Sequence, residues 1–194
     1  MIRTSASAAL LAVASVALAG CGASATRTHT ELEGALIPYV KAPAIALHDV
    51  EGGRVSLASL HGHVVLLSFL YSRCGAPCEV IAQQMRGALE ELPADAAKVV
   101  IVSARPASDS AASVRRFLER TGLAGRALYL TGSERELAPL YAAYRVHTPS
   151  RGRSEFDSYA FVMVISKSGR ERALFESEEL TPEALAKDIR SLGG

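Results

Sequence analysis

The sequence predicts an α/β fold in which a central mixed β-sheet is flanked by helices. Two observations support this prediction. Runs of apolar β-formers alternate with segments whose apolar residues recur at helical spacing, and the last part of the chain has the pattern of a hairpin followed by a helix. A length of 194 residues is typical of one domain with a substantial core. The formal net charge of +1 gives no electrostatic reason to expect a nucleic-acid partner.

The first 20 residues have the composition of a secretion signal. Arg3 is the only charged side chain among the first 26 residues, and the run that follows it is small and apolar. The run ends in Leu-Ala-Gly-Cys at residues 18–21, which resembles the lipobox of bacterial lipoproteins. An uncleaved anchor is less favoured, because the run is short for a span of about 20 residues. We therefore predict a signal peptide over residues 1–20, lipidation at Cys21, and a membrane-anchored lipoprotein on the extracytoplasmic, periplasmic side.

Residues 21–42 are predicted to be a membrane tether, because the first part of this stretch is small and polar. The folded domain is expected over residues 43–194. Its first two short strands surround the Glu-Gly-Gly turn at residues 51–53. The run VVLLSFLY at residues 64–71 is continuously apolar, which is typical of a strand buried on both faces of a sheet.

Helices and buried strands then alternate. A first helix is predicted from apolar residues at helical spacing: Ile81, Met85, Ala88, Leu89 and Leu92. The runs VVIVS at 99–103 and ALYL at 127–130 predict two further strands. Between them, a helix is expected from Ser108 to Thr121, with Gly122 placed to end it.

The last third of the domain contains a helix, a loop, a hairpin and a final helix. A capping box at residues 133–136 opens a helix to about Tyr144, although Pro139 lies inside it. Residues 145–157 are polar and aperiodic, a long loop of the kind that is often functional. A hairpin turns at residues 167–170, and Thr181 precedes the last helix, which has Pro182 at its first position. This order of elements indicates a thioredoxin-like fold.

Two of the three cysteines, Cys74 and Cys78, come directly after the first buried strand. If Cys21 carries lipid, these two are left as a pair in a compartment where disulfides form and persist. Ligands of open α/β sheets gather at the carboxyl ends of the strands. A helix N-terminus also stabilises a thiolate, so this position suits a nucleophile or a metal ligand.

The spacing of the pair allows two states. On a helix, residues i and i+4 share one face with Cα atoms about 6 Å apart, within disulfide reach. When reduced, the two sulfurs can face one metal, and thiolates favour Cu(I). A structural zinc site would need four ligands. A purely structural disulfide stays open, although closing so small a loop removes little unfolded-state entropy.

From residue 43 to about 192, the sequence resembles the Sco/SenC proteins. The resemblance rests on PAIALHDVEGGRVSLASLHGHVVLLSFLYSRCGAPC, VVIVSARPASDS, LYLTGSERELAPLYAAYRV and FVMVISKSGR, in that order. It implies a thioredoxin-like fold and a membrane-anchored domain that helps assemble the dinuclear copper centre of cytochrome c oxidase. It also implies that Cys74 and Cys78 bind copper or reduce the cysteines of the oxidase. The implied partner is the oxidase subunit that carries this centre, or another periplasmic thiol protein.

The sequence departs from the family at its third copper ligand, a histidine. Asp157 of the family's segment is present, but Ser158 stands where the histidine is expected. We therefore expect the pair to bind Cu(I) and to bind Cu(II) poorly. His147, in the same loop, is a candidate substitute ligand, and the alternative is a solvated loop histidine. Arg105 precedes Pro106, where the family tends to have an aspartate.

Four other histidines and one methionine are further possible donors, and the first of them, His29, lies in the predicted tether. His48, His61 and His63 come before or at the start of the strand that leads to Cys74, so we expect them towards the opposite end of the sheet. Met85 has the spacing of a core residue. None of these is predicted to be a ligand.

Four functions fit the cysteine pair, and whether the protein is an enzyme stays open. The first is a copper metallochaperone. The second is a reductase in which one thiolate attacks a disulfide and the other resolves the mixed disulfide. A peroxiredoxin is less favoured, because Tyr71 stands where that family has a threonine three residues before its reactive cysteine. The fourth is a non-catalytic relative with a structural bridge.

Overall fold

The structure is a computed structural model that describes residues 31–146 and 160–194. In these two ranges one sheet of eight strands is present: β1 (Ala35–Leu36), β2 (Ala46–Asp49), β3 (Arg54–Ser56), β4 (Val64–Leu70), β5 (Ala97–Ser103), β6 (Ala127–Thr131), β7 (Phe161–Ile165) and β8 (Glu171–Glu176). Four α-helices lie in the same ranges: α1 (Ala76–Glu90), α2 (Ala111–Thr121), α3 (Glu134–Ala143) and α4 (Pro182–Gly193). Two 3-10 turns cover Leu57–Leu60 and Pro106–Ser108.

The sheet is mixed, as predicted. Its strand order is β1-β8-β7-β4-β5-β6-β2-β3, with β4, β5 and β6 parallel and the other pairs antiparallel. The three parallel strands are joined through α1 and α2, as parallel strands require a crossover. Their carboxyl ends therefore meet at one edge of the sheet, and the loop with the cysteines leaves β4 at this edge.

Helices cover both faces of the sheet. Tyr129 of β6 is in register with Ile101 and Ser68, and its ring contacts Phe117 of α2. Phe69, the next residue of β4, points to the other face and meets Tyr141 and Tyr144 from the α3 region. Since α1 packs against α2 and α4, three helices cover one face and α3 covers the other. Every residue of β4 is buried, as its apolar run predicts.

The helix ends agree with the sequence in most details. Gly122 ends α2 in the left-handed conformation, with φ of 72°, and its N–H donates to the last helical carbonyls. Ser133 caps α3 in a complete capping box with Glu136, and the helix accommodates Pro139. The start of the second helix was predicted too early. Residues 106–108 form a separate 3-10 turn, and α2 begins at Ala111 because Ser110 caps it.

The segment 31–42, predicted as part of the tether, lies against the domain. The carboxylate of Asp188 accepts hydrogen bonds from the backbone N–H groups of Glu33 (2.7 Å) and Gly34 (3.2 Å). Strand β1 pairs with β8, and Ala42 is buried. The part of the tether prediction that covers residues 21–30 lies outside the described residues.

Several predictions concern residues outside the described ranges. The signal peptide, Cys21, His147, Asp157 and Ser158 all lie there. Among the described residues, no helix is both long and apolar enough to span a membrane.

Candidate functional site

The loop between β4 and α1 carries the cysteine pair. A tight turn follows β4, in which the N–H of Cys74 donates to the carbonyl of Tyr71 at 3.1 Å. Gly75 is the N-cap of α1, with φ of 88° and ψ of −150°, a conformation that is essentially restricted to glycine. Pro77 lies in the first turn of α1, where the absence of an N–H leaves no helical hydrogen bond unmade. Glycine and proline thus fix where the chain turns from strand to helix.

Cys74 and Cys78 form a disulfide with Cα atoms 5.7 Å apart. The Cα–Cα distance agrees with the prediction. The prediction derived this distance from two residues on one helix, and that part was wrong. Only Cys78 is in the helix, and Cys74 lies in the turn before it. The backbone conformation at Gly75 brings the two together. Cys74 is 2% exposed and Cys78 is fully buried, so the disulfide lies just beneath the surface.

The buried carboxylate of Asp109 supports the cysteine loop through hydrogen bonds. Asp109 accepts hydrogen bonds from the backbone N–H of Ser72 (2.8 Å), the hydroxyl of Ser103 (2.5 Å) and the hydroxyl of Tyr129 (2.7 Å). The bonds connect the cysteine loop to the end of β5 and to the middle of β6. Asp109 therefore holds the backbone two residues before Cys74.

Tyr129 remains a hydrogen-bond donor in this network at physiological pH. Burial raises the pKa of Tyr129 well above its usual value, and the adjacent Asp109 raises it further. A neutral phenol donates its proton to the carboxylate, so the contact is stable across the range in which the protein functions. Sequence reasoning missed Asp109 as a supporting group. The only signal for it is an acidic residue shortly after a buried strand, which is a weak pattern.

Arg105 follows β5 and lies at the same end of the sheet as the cysteines. Its guanidinium is 6.0 Å from the ring centroid of Tyr71, the first residue of the cysteine loop. This distance permits a cation–π contact. A positive charge thus occupies the place of the aspartate that the family resemblance leads one to expect.

The described histidines do not approach the sulfurs. His61 and His63 precede β4, which separates them from the cysteine loop by about 20 Å, so their predicted location is confirmed. The prediction for His48 was wrong. His48 pairs with Thr131 at the carboxyl end of β6, so it lies at the same edge as the cysteines. It is still three strands away from β4, or about 14 Å across the sheet. Met85 is fully buried in the core, as predicted.

The donor set of the described site suits Cu(I) better than Cu(II). The two sulfurs are soft donors, and after reduction both can bind one Cu(I) ion. Within residues 31–146 and 160–194, no group of three or more His, Cys, Asp or Glu side chains is arranged to hold a metal. His147 and Ser158, the positions considered for a third donor, lie outside the described residues.

Solved structures with the same fold include three Sco-type proteins. Apo Sco1 from Thermus thermophilus has a TM-score of 0.68 and 23% identity, covering 85% of this chain and 99% of that one. A SCO1/SenC family lipoprotein from Bacillus anthracis has a TM-score of 0.67 and 16% identity, with coverage of 82% and 98%. ScoI from Bradyrhizobium japonicum with copper bound has a TM-score of 0.60 and 23% identity, with coverage of 79% and 99%.

The thioredoxin-like fold is confirmed by a further structure. The thioredoxin domain of a thiol-disulfide oxidoreductase from Bacteroides vulgatus matches with a TM-score of 0.62 and 16% identity, covering 82% of this chain and all of that one. At these identities, the likeness to each structure establishes the fold. No curated protein sequence matches the chain.

The family assignment rests on the sequence of the domain itself. A model of the SCO1/SenC family matches residues 41–193, which include all of the elements from β2 to α4 and the cysteine loop. The chain therefore belongs to the SCO1/SenC family.

Proposed function

We propose that this protein acts in the assembly of the dinuclear copper centre of cytochrome c oxidase, through Cu(I) binding, thiol–disulfide exchange, or both, at Cys74 and Cys78. The observation that carries the proposal is the cysteine pair itself. It closes a disulfide at the carboxyl end of a central strand, inside a domain that matches the SCO1/SenC family. The Bradyrhizobium relative with bound copper supports the choice of metal.

The redox half of the proposal follows from the position of the pair. In the reduced protein, one thiolate attacks a disulfide sulfur of the partner and displaces the other partner sulfur as a thiolate. The second cysteine then attacks the mixed disulfide, which releases the partner as a dithiol and leaves Cys74 bonded to Cys78. Two electrons pass to the partner, and the protons that its thiolates take up come from the two cysteine thiols by way of water.

In copper transfer, the sulfurs of Cys74 and Cys78 would bind the copper ion that is delivered to the oxidase. Cu(I) accepts low coordination by soft donors, so two thiolates suffice. Oxidation to the disulfide removes both donors at once. Redox state therefore decides whether the protein can hold copper.

A second candidate function is a general extracytoplasmic thiol-disulfide oxidoreductase without a copper role. Two observations favour it. The described residues supply no third donor beside the sulfurs, and the fold is shared with the Bacteroides oxidoreductase domain. This candidate needs the cysteines but not copper.

Deletion of the gene in its own organism tests the proposal. We expect lower cytochrome c oxidase activity and less copper in the subunit that carries the dinuclear centre. The wild-type gene should restore both, whereas Cys74→Ser and Cys78→Ser variants should not. Unchanged oxidase activity and copper content in the deletion strain, together with altered thiol status of other exported proteins, would favour the oxidoreductase.

The missing histidine leads to a prediction about copper oxidation state. Cu(II) prefers added nitrogen or oxygen donors, and Ser158 is a poor donor beside an imidazole. We expect Cu(II) to oxidise the reduced pair instead of forming a stable, strongly coloured thiolate complex. Ser158→His should restore the absorption band of such a complex. A band in the wild type that disappears in His147→Ala would identify His147 as the third ligand and overturn this expectation.

We propose further that lipid on Cys21 anchors the protein to the membrane, facing the periplasmic side. The lipobox-like residues 18–21 support this, and so does the description of the Bacillus anthracis relative as a lipoprotein. Cys21→Ser should move the protein from the membrane fraction to the soluble fraction. Retention of the variant in the membrane after a carbonate wash would refute the lipid anchor.

A further inference from the structure

A small polar cleft adjoins the cysteine pair. Its volume is about 220 Å³, and its walls come from the cysteine loop, the first turn of α1 and the exposed side of α2. The lining residues are Ser72, Arg73, Gly75, Glu79, Ser113, Arg116 and Arg120. Since Arg73 and Gly75 are the chain neighbours of Cys74, a group bound in this cleft lies next to the disulfide.

The cleft has an excess of positive charge. Three guanidinium groups line it, against the single carboxylate of Glu79. The guanidinium of Arg120 lies 3.0 Å from this carboxylate, so one of the three positive charges is already paired. Among the described residues, no carboxylate pairs with Arg73 or Arg116, and both side chains are exposed. Two positive charges therefore remain available to a ligand.

The positive charge extends along the edge of the sheet. Arg105 lies over the ring of Tyr71, on the adjoining part of the cysteine loop. The backbone carbonyl of Ser108, three residues later, accepts hydrogen bonds from Ser72 and Ser113 at the floor of the cleft. Arg105 does not line the cleft, but it adds a fourth positive charge beside the cysteine loop, and we call these four residues the arginine edge (Arg73, Arg105, Arg116 and Arg120).

We propose that the arginine edge docks an acidic segment of a partner protein, whose carboxylates flank the cysteines that exchange with Cys74 and Cys78. Guanidinium groups bind carboxylates in a planar, bidentate geometry, and such contacts fix the orientation of a partner. Complementary charge also accelerates encounter. The proposal rests on the thiol–disulfide exchange proposed above and adds to it the chemistry by which a partner is recognised.

The arginine edge acts on the charge of residues that flank the partner's reacting cysteines. A carboxylate within one or two residues of a partner cysteine can reach the cleft while the partner's disulfide lies over Cys74. A lysine at the same position would be repelled. The arginine edge therefore selects among disulfides by their flanking charge, and the effect should weaken as salt shortens the range of the interaction.

Exchange rates with model peptides test the proposal. The full-length protein in neutral detergent is reduced, freed of reductant, and mixed with disulfide-bonded peptides that differ only in flanking glutamate, glutamine or lysine residues. At low ionic strength we expect the glutamate peptide to react about tenfold faster than the glutamine peptide, and the lysine peptide more slowly still. In high salt the three rates should converge.

Two variants of α2 provide a matched pair. Arg116→Glu reverses a charge in the cleft. Arg115→Glu makes the same change one residue earlier, on a side chain that lines a different cavity. We expect Arg116→Glu to abolish or invert the preference for the glutamate peptide and Arg115→Glu to change it less than about twofold.

The outcomes separate the two proposals. Equal rates for the three peptides, or equal effects of the two variants, would overturn docking while leaving thiol–disulfide exchange intact. No exchange with any peptide would overturn the redox function and the docking that rests on it. A preference that persists in high salt would show that recognition does not depend on the arginine charges, and would also overturn the proposal.

Discussion

Cys74→Ser and Cys78→Ser are each expected to lower the Cu(I) affinity of the reduced protein by at least about 100-fold. Removing a hydrogen-bond partner of a metal ligand already costs roughly 10–100-fold, and here a ligand itself is lost. A serine hydroxyl is a hard donor and does not replace a thiolate on Cu(I). Competition with a chromophoric Cu(I) chelator measures the change.

The fold should survive both substitutions. The disulfide closes a loop of only a few residues, so its loss removes about 2 kcal/mol of stabilisation at most. Met85→Leu is the matched control, because Met85 is a buried sulfur residue of α1 that packs in the core. It should leave Cu(I) affinity unchanged. If Met85→Leu weakened binding as much as the cysteine variants, a thioether would belong to the site and the two-thiolate assignment would be wrong.

Asp109→Ala is expected to lower the free energy of unfolding by about 3 kcal/mol. The substitution removes the acceptor of three buried donors, the N–H of Ser72 and the hydroxyls of Ser103 and Tyr129. An unsatisfied buried donor costs about 1–3 kcal/mol, and the two hydroxyls can partly recover by rotating. Urea denaturation of the oxidised protein measures the effect, with the disulfide held constant.

Asp109→Ala should also change the redox chemistry of the cysteine pair. Asp109 holds the backbone N–H of Ser72, which lies two residues before Cys74. We expect a shift in the reduction potential of the Cys74–Cys78 disulfide. Glu90→Ala is the control, since Glu90 is an exposed carboxylate of α1 paired with Arg86 on the surface. Such a pair contributes at most about 1 kcal/mol. Equal losses of stability in the two variants would show that Asp109 has no special role in holding the loop.

The sequence predicted most of the fold because its local signals agree with one another. Continuous apolar runs identified β4, β5 and β6, and the capping box at Ser133 and the proline after Thr181 indicated where α3 and α4 begin. The prediction was wrong where the capping rule alone did not identify the correct cap residue. The sequence predicts that α2 begins at Ser108, whereas in the structure Ser110 is the cap and accepts a hydrogen bond from the N–H of Ser113.

The site was only partly predictable, because its supporting contacts join residues far apart in the chain. The two cysteines were evident from their spacing. By contrast, Asp109 reaches back 37 residues to Ser72, and nothing in its local sequence reveals this contact. The misplacement of His48 has the same origin: β2 pairs antiparallel with β6, and strand order cannot be read from hydrophobic pattern. The cleft of arginines likewise depends on how α1 and α2 pack.

Cu(I) titration of one protein sample in two redox states tests the central claim most directly. The claim is that Cys74 and Cys78 are both the redox pair and the copper donors. The reduced protein should bind one Cu(I) per chain, and the same sample oxidised to the disulfide should bind none until a reductant restores the thiols. Copper binding that is equally strong in the oxidised state would contradict the claim, because the metal would then be held by other residues.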